Sequence, residues 1–575
     1  MTTGDTPTQN REWSFRQRIL ATLPIFLILM GILTSVSHAT SLQWNNEPTN
    51  QTLSPVVGDT SLTMKATSDS VQCPDTSATK SSGLCAVSST SKKYAVEKKV
   101  VSLEITRPTT GEKQKINVLI RSPKGYKGKA PAIVFMHGAG YGTAMDAFMD
   151  AAAEMTSAGF VTATLDKPVW STNNLTRDYP GSAHAYDQVI NLLRGLDTVN
   201  SEKVGIYATS ESTWISPYLL NEDKKIAFQI LLSPMLFSPR MTLGFFVAQD
   251  FSIVGAHPGY QGIVRRLFSA DMESFGLHNI DIDPFTAQSF SIPTFLAYGS
   301  KDVMTAQVSG ANRVMDLAHE AGNGNFVIRS YPLANHVLNI GDSHQGALVD
   351  NYVRDIVNWS SGIVKGYEQT SQRVGGADIY QSIGLPYDIH ASKSLTFYGV
   401  ILHVLMLISL LVILVFSLVA LVMKIVARVR KKPDPFGMEK GFRRALRTIS
   451  FTTLASLVLF GAGIGQIVAR VIQLVWGAAP EAAGMIYWSW YVVQLSCVFV
   501  VWAWSRIFAV LIEAGMERGW FRWLRRIAKE PVTPSPAPRG VVIASTRAGL
   551  AYFICVTVSM LLILLVFAFW GLFLY

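Results

Sequence analysis

The fold is decided by a short stretch in the middle of the chain, Gly205-Ile206-Tyr207-Ala208-Thr209-Ser210-Glu211-Ser212. A β-branched and aromatic run gives way there to small residues around a serine. This pattern is typical of a strand that turns sharply into a helix, because small residues two places before and after the serine let the backbone pack closely and expose its side chain. Ala208 and Ser212 fill those places, where glycine is more usual. The departures are conservative, and the rest of the chain must support the interpretation.

Three further segments stand in the order that this turn requires. Residues 132–140 predict a buried strand that runs into a glycine turn. Residues 293–302 predict a second buried strand, which ends in a loop carrying Asp302. Residues 326–331 predict a third strand, and His336 follows it. The polar residues therefore occur in the order Ser210, Asp302, His336.

These residues resemble the α/β-hydrolase superfamily, nearest to its dienelactone-hydrolase and prolyl-oligopeptidase-like esterase branches. The resemblance covers roughly residues 98 to 365. It implies the α/β class, with a mostly parallel sheet flanked by helices and a cap insertion. It also implies a serine hydrolase, whose nucleophile lies at the sharp turn known as the nucleophile elbow.

The resemblance gives each residue a role. Ser210 is the expected nucleophile, His336 the general base, and Asp302 the carboxylate that orients the imidazole. The backbone N–H of Glu211, together with that of Ala139 or Gly138, is expected to form the oxyanion hole.

Other polar residues near these segments are expected to be structural. We interpret His137 as holding the glycine turn, Asp166 as a structural carboxylate at a strand end, and the Glu211 side chain as solvent-facing or salt-bridged. No cysteine or histidine spacing resembles a metal site, and no glycine-rich phosphate loop follows a strand. We therefore expect no cofactor and no metal.

Length and hydropathy predict a membrane protein. The chain has 575 residues, too many for one domain, and its mean hydropathy is +0.26 with 16% charged residues. Five apolar runs are long enough to cross a hydrocarbon core of about 30 Å. They lie at about 19–37, 396–423, 449–475, 485–512 and 548–575.

Basic residues predict the orientation of these runs. The loop 424–447 and the loop that follows residue 517 are rich in Lys and Arg, whereas the short connection 478–481 is not. The positive-inside rule therefore makes both basic loops cytoplasmic and exports the catalytic domain. The net charge of +10 is explained by topology and contact with anionic lipid, so we expect no nucleic-acid partner.

The sequence divides into five parts. The first run is either a signal anchor or a cleaved signal peptide, and the Ser/Thr-rich segment after it suggests a stalk or a wrapping segment. If that segment is exported, Cys73 and Cys85 are expected to form a disulfide, whereas Cys497 and Cys555 are expected to be packing residues. The parts are 1–39, 40–97, the α/β-hydrolase domain 98–370 with a cap at about 235–290, the linker 371–395, and a four-helix all-α transmembrane bundle 396–575.

The sequence thus predicts a multi-pass enzyme of a bacterial plasma membrane, whose extracytoplasmic domain cleaves acyl esters, lipid-linked or envelope-linked, through an acyl-serine. Membrane lipids and an acyl-ester or lipid-linked substrate are the expected partners, with envelope proteins as further partners of the bundle. Three alternatives stay open. They are an envelope acyltransferase with the same triad, a peptidase, and a non-catalytic hydrolase-like binding module, which the off-pattern residues Ala208 and Ser212 motivate.

Overall fold

A computed structural model gives the fold of the chain. The residues it describes are 15–45, 48–55, 62–66, 84–85, 93–140, 142–170, 177–342, 346–370, 373–478, 484–517 and 543–575. Cys73 lies outside them, so the expected disulfide stays a prediction. Cys497 is fully buried and Cys555 half-buried within long apolar helices.

Strands and helices alternate through the middle of the chain. The strands are β1 (Pro48–Leu53), β2 (Met64–Ala66), β3 (Leu84–Cys85), β4 (Val96–Thr106), β5 (Lys113–Pro123), β6 (Ala130–Met136), β7 (Val161–Leu165), β8 (Val199–Thr209), β9 (Gln229–Leu232), β10 (Thr294–Gly299), β11 (Phe326–Tyr331), β12 (Tyr367–Gln369), β13 (Val374–Gly376) and β14 (Ile379–Ile383). The helices are α1 (Phe15–Ala39), α2 (Met149–Ser157), α3 (Tyr179–Arg194), α4 (Ser216–Glu222), α5 (Pro239–Ile253), α6 (Pro258–Phe268), α7 (Gln307–Glu320), α8 (Asp350–Val364), α9 (Lys393–Val429), α10 (Lys440–Val475), α11 (Gly484–Glu517) and α12 (Arg547–Phe569).

Nine strands form one sheet in the order β4-β5-β7-β6-β8-β9-β10-β11-β13. β5 pairs antiparallel with β4 and with β7, and the remaining pairs are parallel. The inner strands β6, β7, β9, β10 and β11 are buried along their whole length, because helices cover both faces of a parallel sheet. This is the α/β-hydrolase fold, as the sequence predicts.

The sheet continues past residue 370, the expected end of the domain. β13 pairs with β11 at the sheet edge, and β14 pairs with β1 from the segment 40–97. β2 pairs with both β12 and β3. These strands are short and lack a regular alternation of apolar residues, so the sequence pattern does not reveal them. The strands β1, β2 and β3 described within 40–97 thus pair with strands at or after the end of the hydrolase domain or with each other.

Five helices among the described residues are long and apolar enough to cross a membrane, namely α1 and α9 to α12. α10 packs along α11, and α9 packs along α12. The segments that precede α10 and α12 meet at one end of this bundle, where Met438 and Ala544 form a β-bridge. The ends of α1 and α12 meet at the other end, where the Ser37 and Thr40 hydroxyls donate to carbonyls of Ala568 and Phe569.

The cap, built from α5 and α6 with short 3₁₀ turns, lies directly on the bundle. The hydroxyl of Tyr260 is 2.9 Å from that of Ser489 on α11. The indole of Trp490 fills the space beside Gly259, where any Cβ would overlap the ring. One continuous apolar cluster therefore runs from the sheet through the cap into the helices of the bundle.

Candidate active site

The turn after β8 has the strained geometry of a nucleophile elbow. Ser210 has a φ of 50°, a left-handed backbone conformation that residues other than glycine rarely adopt. β8 ends at Thr209, and a 3₁₀ turn over Ser210–Thr213 follows at once. Ser210 is therefore held in a conformation that persists only because the surrounding backbone enforces it.

Ser212 explains why the elbow tolerates a departure from glycine. Its hydroxyl accepts a hydrogen bond from the Thr209 N–H at 2.6 Å and lies 3.0 Å from the carbonyl oxygens of Thr209 and Met136. The side chain thus satisfies backbone groups of the turn and ties it to the end of β6. Ser212 is fully buried in this role.

The structure brings Ser210, His336 and Asp302 together at the carboxyl edge of the sheet. His336 Nε2 lies 3.0 Å from Ser210 Oγ, and His336 Nδ1 lies 3.0 Å from Asp302 Oδ1. The second pair is within ion-pair distance, but its N–H direction is not aligned for a hydrogen bond. Ser210 follows β8, His336 follows β11 and Asp302 follows β10. The parallel register of these strands therefore brings the three side chains into a chain of contacts, the Ser210 relay.

Asp302 is held ionised inside the protein. Burial raises the pKa of its carboxyl, but the nearby His336 imidazole and donated hydrogen bonds outweigh burial and leave the pKa lowered. Those bonds come from the Met304 N–H to Oδ1 at 2.8 Å and from the Thr305 hydroxyl to Oδ2 at 2.9 Å. The carboxylate is therefore charged at neutral pH and faces the ring that it would orient.

The loop that carries His336 is held by hydrogen bonds from the end of β9 and from within the loop itself. The Ser233 hydroxyl, just after β9, donates to the His336 carbonyl oxygen at 2.7 Å. Within the loop, the Asn335 side-chain oxygen accepts the N–H groups of Val337 and Asn339 at 3.1 Å each. The ring is therefore supported by a closed turn rather than by an exposed chain.

The expected oxyanion-hole residues lie around Ser210. A Cβ on Gly138 would stand 3.4 Å from Ser210 Cβ and 3.3 Å from the Thr209 carbonyl oxygen, so glycine permits this close approach. Ala139 follows on the exposed side of the loop. The Glu211 N–H lies in the first turn after the elbow, where backbone amides lack an intrahelical acceptor.

Two cationic side chains near the site are not predicted from the sequence. Lys167 Nζ lies 2.7 Å from Glu211 Oε2, and Arg177 Nε lies 3.0 Å from Glu211 Oε1. The Glu211 side chain is thus salt-bridged, which is one of the two structural roles expected for it. Position is the signal in the sequence, since Lys167 follows the buried strand β7, which ends at the same edge of the sheet as β8.

His137 and Asp166 have structural surroundings. His137 Nε2 contacts the Leu165 carbonyl oxygen, and burial lowers the pKa of its imidazole. Asp166 accepts hydrogen bonds from the backbone N–H groups of Asn117 and Ala144, at 2.9 Å each. Neither side chain touches the Ser210 relay. Within the described ranges, no group of three or more His, Cys, Asp and Glu residues is arranged to hold a metal ion.

Comparison with known proteins gives distant likenesses to hydrolases. No family model and no curated protein matches the chain. A fungal esterase from Rhizomucor miehei is 18% identical with a TM-score of 0.34, over 48% of this chain and 85% of the esterase. A cold-adapted esterase from an Arctic intertidal metagenomic library is 13% identical with a TM-score of 0.28, over 47% of this chain and 94% of that one.

A candidate dipeptidyl aminopeptidase IV from Bacteroides ovatus is 14% identical with a TM-score of 0.31. The match covers 48% of this chain but 35% of the Bacteroides protein. All three of these proteins bear the names of hydrolases.

Proposed function

We propose that this protein is a membrane-bound serine hydrolase that cleaves acyl esters through an acyl-Ser210 intermediate. The observation that carries the proposal is the buried relay from Ser210 through His336 to Asp302, built on a serine with left-handed backbone geometry. A serine with a purely structural role in a turn would require neither a left-handed backbone conformation nor an imidazole nitrogen 3.0 Å from its hydroxyl oxygen.

The geometry supports a two-step acyl transfer. Ser210 Oγ attacks the ester carbonyl carbon while His336 Nε2 takes the hydroxyl proton, and the charge of Asp302 stabilises the imidazolium. The developing oxyanion is received by the Glu211 N–H and by the N–H of Ala139 or Gly138. His336 then returns the proton to the leaving alcohol. Water, deprotonated by the same histidine, attacks the acyl-enzyme and releases the acid and Ser210.

The position of the site favours an amphiphilic substrate. Gly477, just after α10, packs on the catalytic loops, and a Cβ there would stand 3.3 Å from Asn335 Cβ, from Lys301 Cδ and from the Gly341 carbonyl oxygen. Lys301 and Asn335 are the immediate neighbours of Asp302 and His336. The catalytic edge of the sheet therefore adjoins the end of a helix that is long and apolar enough to span a bilayer.

Aromatic residues mark the same end of the bundle. Tyr487, Trp488 and Tyr491, in the first turns of α11, are exposed. Tyrosine and tryptophan are enriched where membrane helices meet water. This belt supports a catalytic site at the level of lipid head groups, and hence a lipid-linked or envelope-linked acyl ester as substrate.

The arrangement of the basic segments supports an extracytoplasmic domain. The Lys/Arg-rich segment before α10 lies at the bundle end opposite the catalytic domain, beside the start of α12. By the positive-inside rule that end is cytoplasmic. We therefore propose a bacterial plasma membrane location, with membrane lipids, and envelope proteins at the bundle, as partners.

The test compares substrates in two physical forms. The full-length protein in lipid nanodiscs would be offered a fluorogenic acyl ester anchored in the bilayer and a water-soluble ester with the same acyl group, with Ser210→Ala as the control. The proposal expects Ser210-dependent hydrolysis with a clear preference for the anchored ester. Absence of Ser210-dependent turnover on either ester would contradict the hydrolase assignment. Turnover that appears only with an added acceptor alcohol would replace it by acyl transfer.

A further inference from the structure

The loop after β6, which carries the expected oxyanion donors, is fastened to the residues that follow β7. His137 Nε2 contacts the Leu165 carbonyl oxygen. The Lys167 N–H donates to the Gly142 carbonyl oxygen at 2.8 Å, and Lys167 Nζ donates to the Gly138 carbonyl oxygen at 2.5 Å. Lys167 thus holds this loop twice, once through its backbone and once through its ammonium group.

The same ammonium group also contacts the elbow. Lys167 Nζ lies 2.7 Å from Glu211 Oε2, and both side chains are more than nine-tenths buried. Gly138 and Glu211 belong to the two backbone segments from which the oxyanion hole is expected. One buried cation therefore joins both halves of the hole.

Peptide geometry gives this contact a consequence. In a planar trans peptide the C=O of one residue and the N–H of the next point in opposite directions. Because Lys167 holds the Gly138 carbonyl on its own side, the Ala139 N–H must face the other way. If that peptide turned over, its carbonyl oxygen would replace the N–H and repel a developing oxyanion.

We propose that Lys167 is a positioning residue that fixes the Gly138–Ala139 peptide with the Ala139 N–H directed at the reacting carbonyl. This inference rests on the proposed hydrolase function and adds to it the residue that assembles the oxyanion hole. It also selects Ala139, rather than Gly138, as the second donor beside Glu211.

The energetics favour positioning over simple stabilisation. Burial lowers the pKa of the Lys167 ammonium, and the neighbouring Glu211 carboxylate opposes that shift. A buried ion pair commonly gives no net stability over an apolar pair of the same volume, because both charges lose their hydration. The ion pair between Lys167 and Glu211 is therefore better explained by the hydrogen bond from the Lys167 ammonium to the Gly138 carbonyl oxygen than by a gain in stability.

The test uses phosphonylation of Ser210 by a fluorophosphonate probe, measured as a maximal labelling rate constant and a half-saturating probe concentration. Lys167→Met removes the contact with Gly138 and leaves Arg177 as the partner of the Glu211 carboxylate. The double variant Lys167→Met/Glu211→Gln also removes that carboxylate charge. The matched control is Arg194→Met, which breaks a comparably buried pair with Asp223 (Nη1 to Oδ2 2.6 Å). Arg194 bonds the Ser201 carbonyl oxygen near the start of β8, away from the elbow.

We expect both Lys167 variants to lose about 10²-fold in maximal labelling rate with an unchanged half-saturating concentration, because only transition-state stabilisation is lost. Lys167→Arg, which keeps a cation and its donors, should recover part of the rate. Arg194→Met should lower the melting temperature but leave the rate unchanged.

Three outcomes would contradict the inference, and they are distinguishable. A wild type that does not label overturns the proposed function and this inference with it. A labelled wild type with equally reactive Lys167 variants overturns the inference alone. Recovery of the full rate in the double variant would show that the charge on Glu211, and not the Gly138 carbonyl, is what Lys167 controls.

Discussion

Replacement of Asp302 by asparagine tests the charge of the third member of the proposed triad. An asparagine can keep its carbonyl oxygen in the place of Oδ1, where the Met304 N–H is accepted at 2.8 Å. The loop is therefore expected to keep its shape. What disappears is the negative charge 3.0 Å from His336 Nδ1, at the moment when that ring becomes an imidazolium.

The loss can be sized from the distance. Two unit charges that are 3.0 Å apart interact by about 5 kcal/mol at an effective dielectric constant near 20. Because the imidazolium forms only in the transition state, this energy acts on the barrier. We therefore expect Asp302→Asn to slow fluorophosphonate labelling by about 10³- to 10⁴-fold.

Asp250 provides a matched control. It is a fully buried carboxyl on α5, and burial together with the neighbouring Asp302 charge raises its pKa to about 9. It is therefore neutral at pH 7, and Asp250→Asn replaces one neutral group by another of the same shape. The assay is the labelling rate of both variants at pH 7, with melting temperatures measured alongside. A labelling rate of folded Asp302→Asn within tenfold of wild type would show that the Asp302 charge does not stabilise the transition state.

Four further predictions follow from backbone strain and from buried charge. Ser210→Gly should melt above Ser210→Ala, the reverse of the usual order, because alanine at a φ of 50° carries about 1–2 kcal/mol of left-handed strain that glycine avoids; calorimetry of both variants checks this. Asp250→Asn should raise the free energy of unfolding by up to about 4 kcal/mol at pH 7. The reason is that the raised pKa of Asp250 in the folded state makes wild-type stability fall between about pH 4 and pH 9. A stability difference between variant and wild type that stays constant across that pH range in denaturant titrations would contradict this prediction. The lowered pKa of Asp302 has the opposite effect on stability. The stabilisation by the Asp302 carboxylate is complete above the unfolded-state pKa of about 3.9 and is lost as the pH falls through the folded-state pKa. On acidification below pH 4, the free energy of unfolding should therefore fall more for wild type than for Asp302→Asn. Gly477→Ala should lower the free energy of unfolding by about 1–2 kcal/mol and also slow labelling, because Gly477 has a φ of 79° and packs on the loop of His336. A variant that labels at the wild-type rate would show that the packing of Gly477 does not affect the site.

The sequence predicts the triad because each member lies just after a strong local pattern. Ser210 and Asp302 follow apolar runs that have the length of buried strands, and His336 follows the shorter apolar run 326–328. In a parallel sheet such strand ends converge on one edge, so chain order alone places the three side chains near each other. Prediction of the α/β-hydrolase fold succeeds for the same reason.

Features that depend on pairs of distant residues are not readable in this way. β13 and β14 are five residues or shorter, and they are ordered by partners far away in the chain, as when β14 pairs with β1. Lys167 resembles any lysine after a strand until the fold places it beside Gly138 and Glu211. The seating of the cap on α11 likewise depends on Gly259 and Trp490 meeting across more than two hundred residues.

The most direct test of the central claim is fluorophosphonate labelling of the purified full-length protein, with wild type compared with Ser210→Ala and His336→Ala. We expect that wild type labels, that Ser210→Ala does not label, and that His336→Ala labels far more slowly because the serine loses its base. A folded wild type that fails to label, or a Ser210→Ala variant that labels as fast as wild type, would contradict the proposed role of Ser210 as an activated nucleophile.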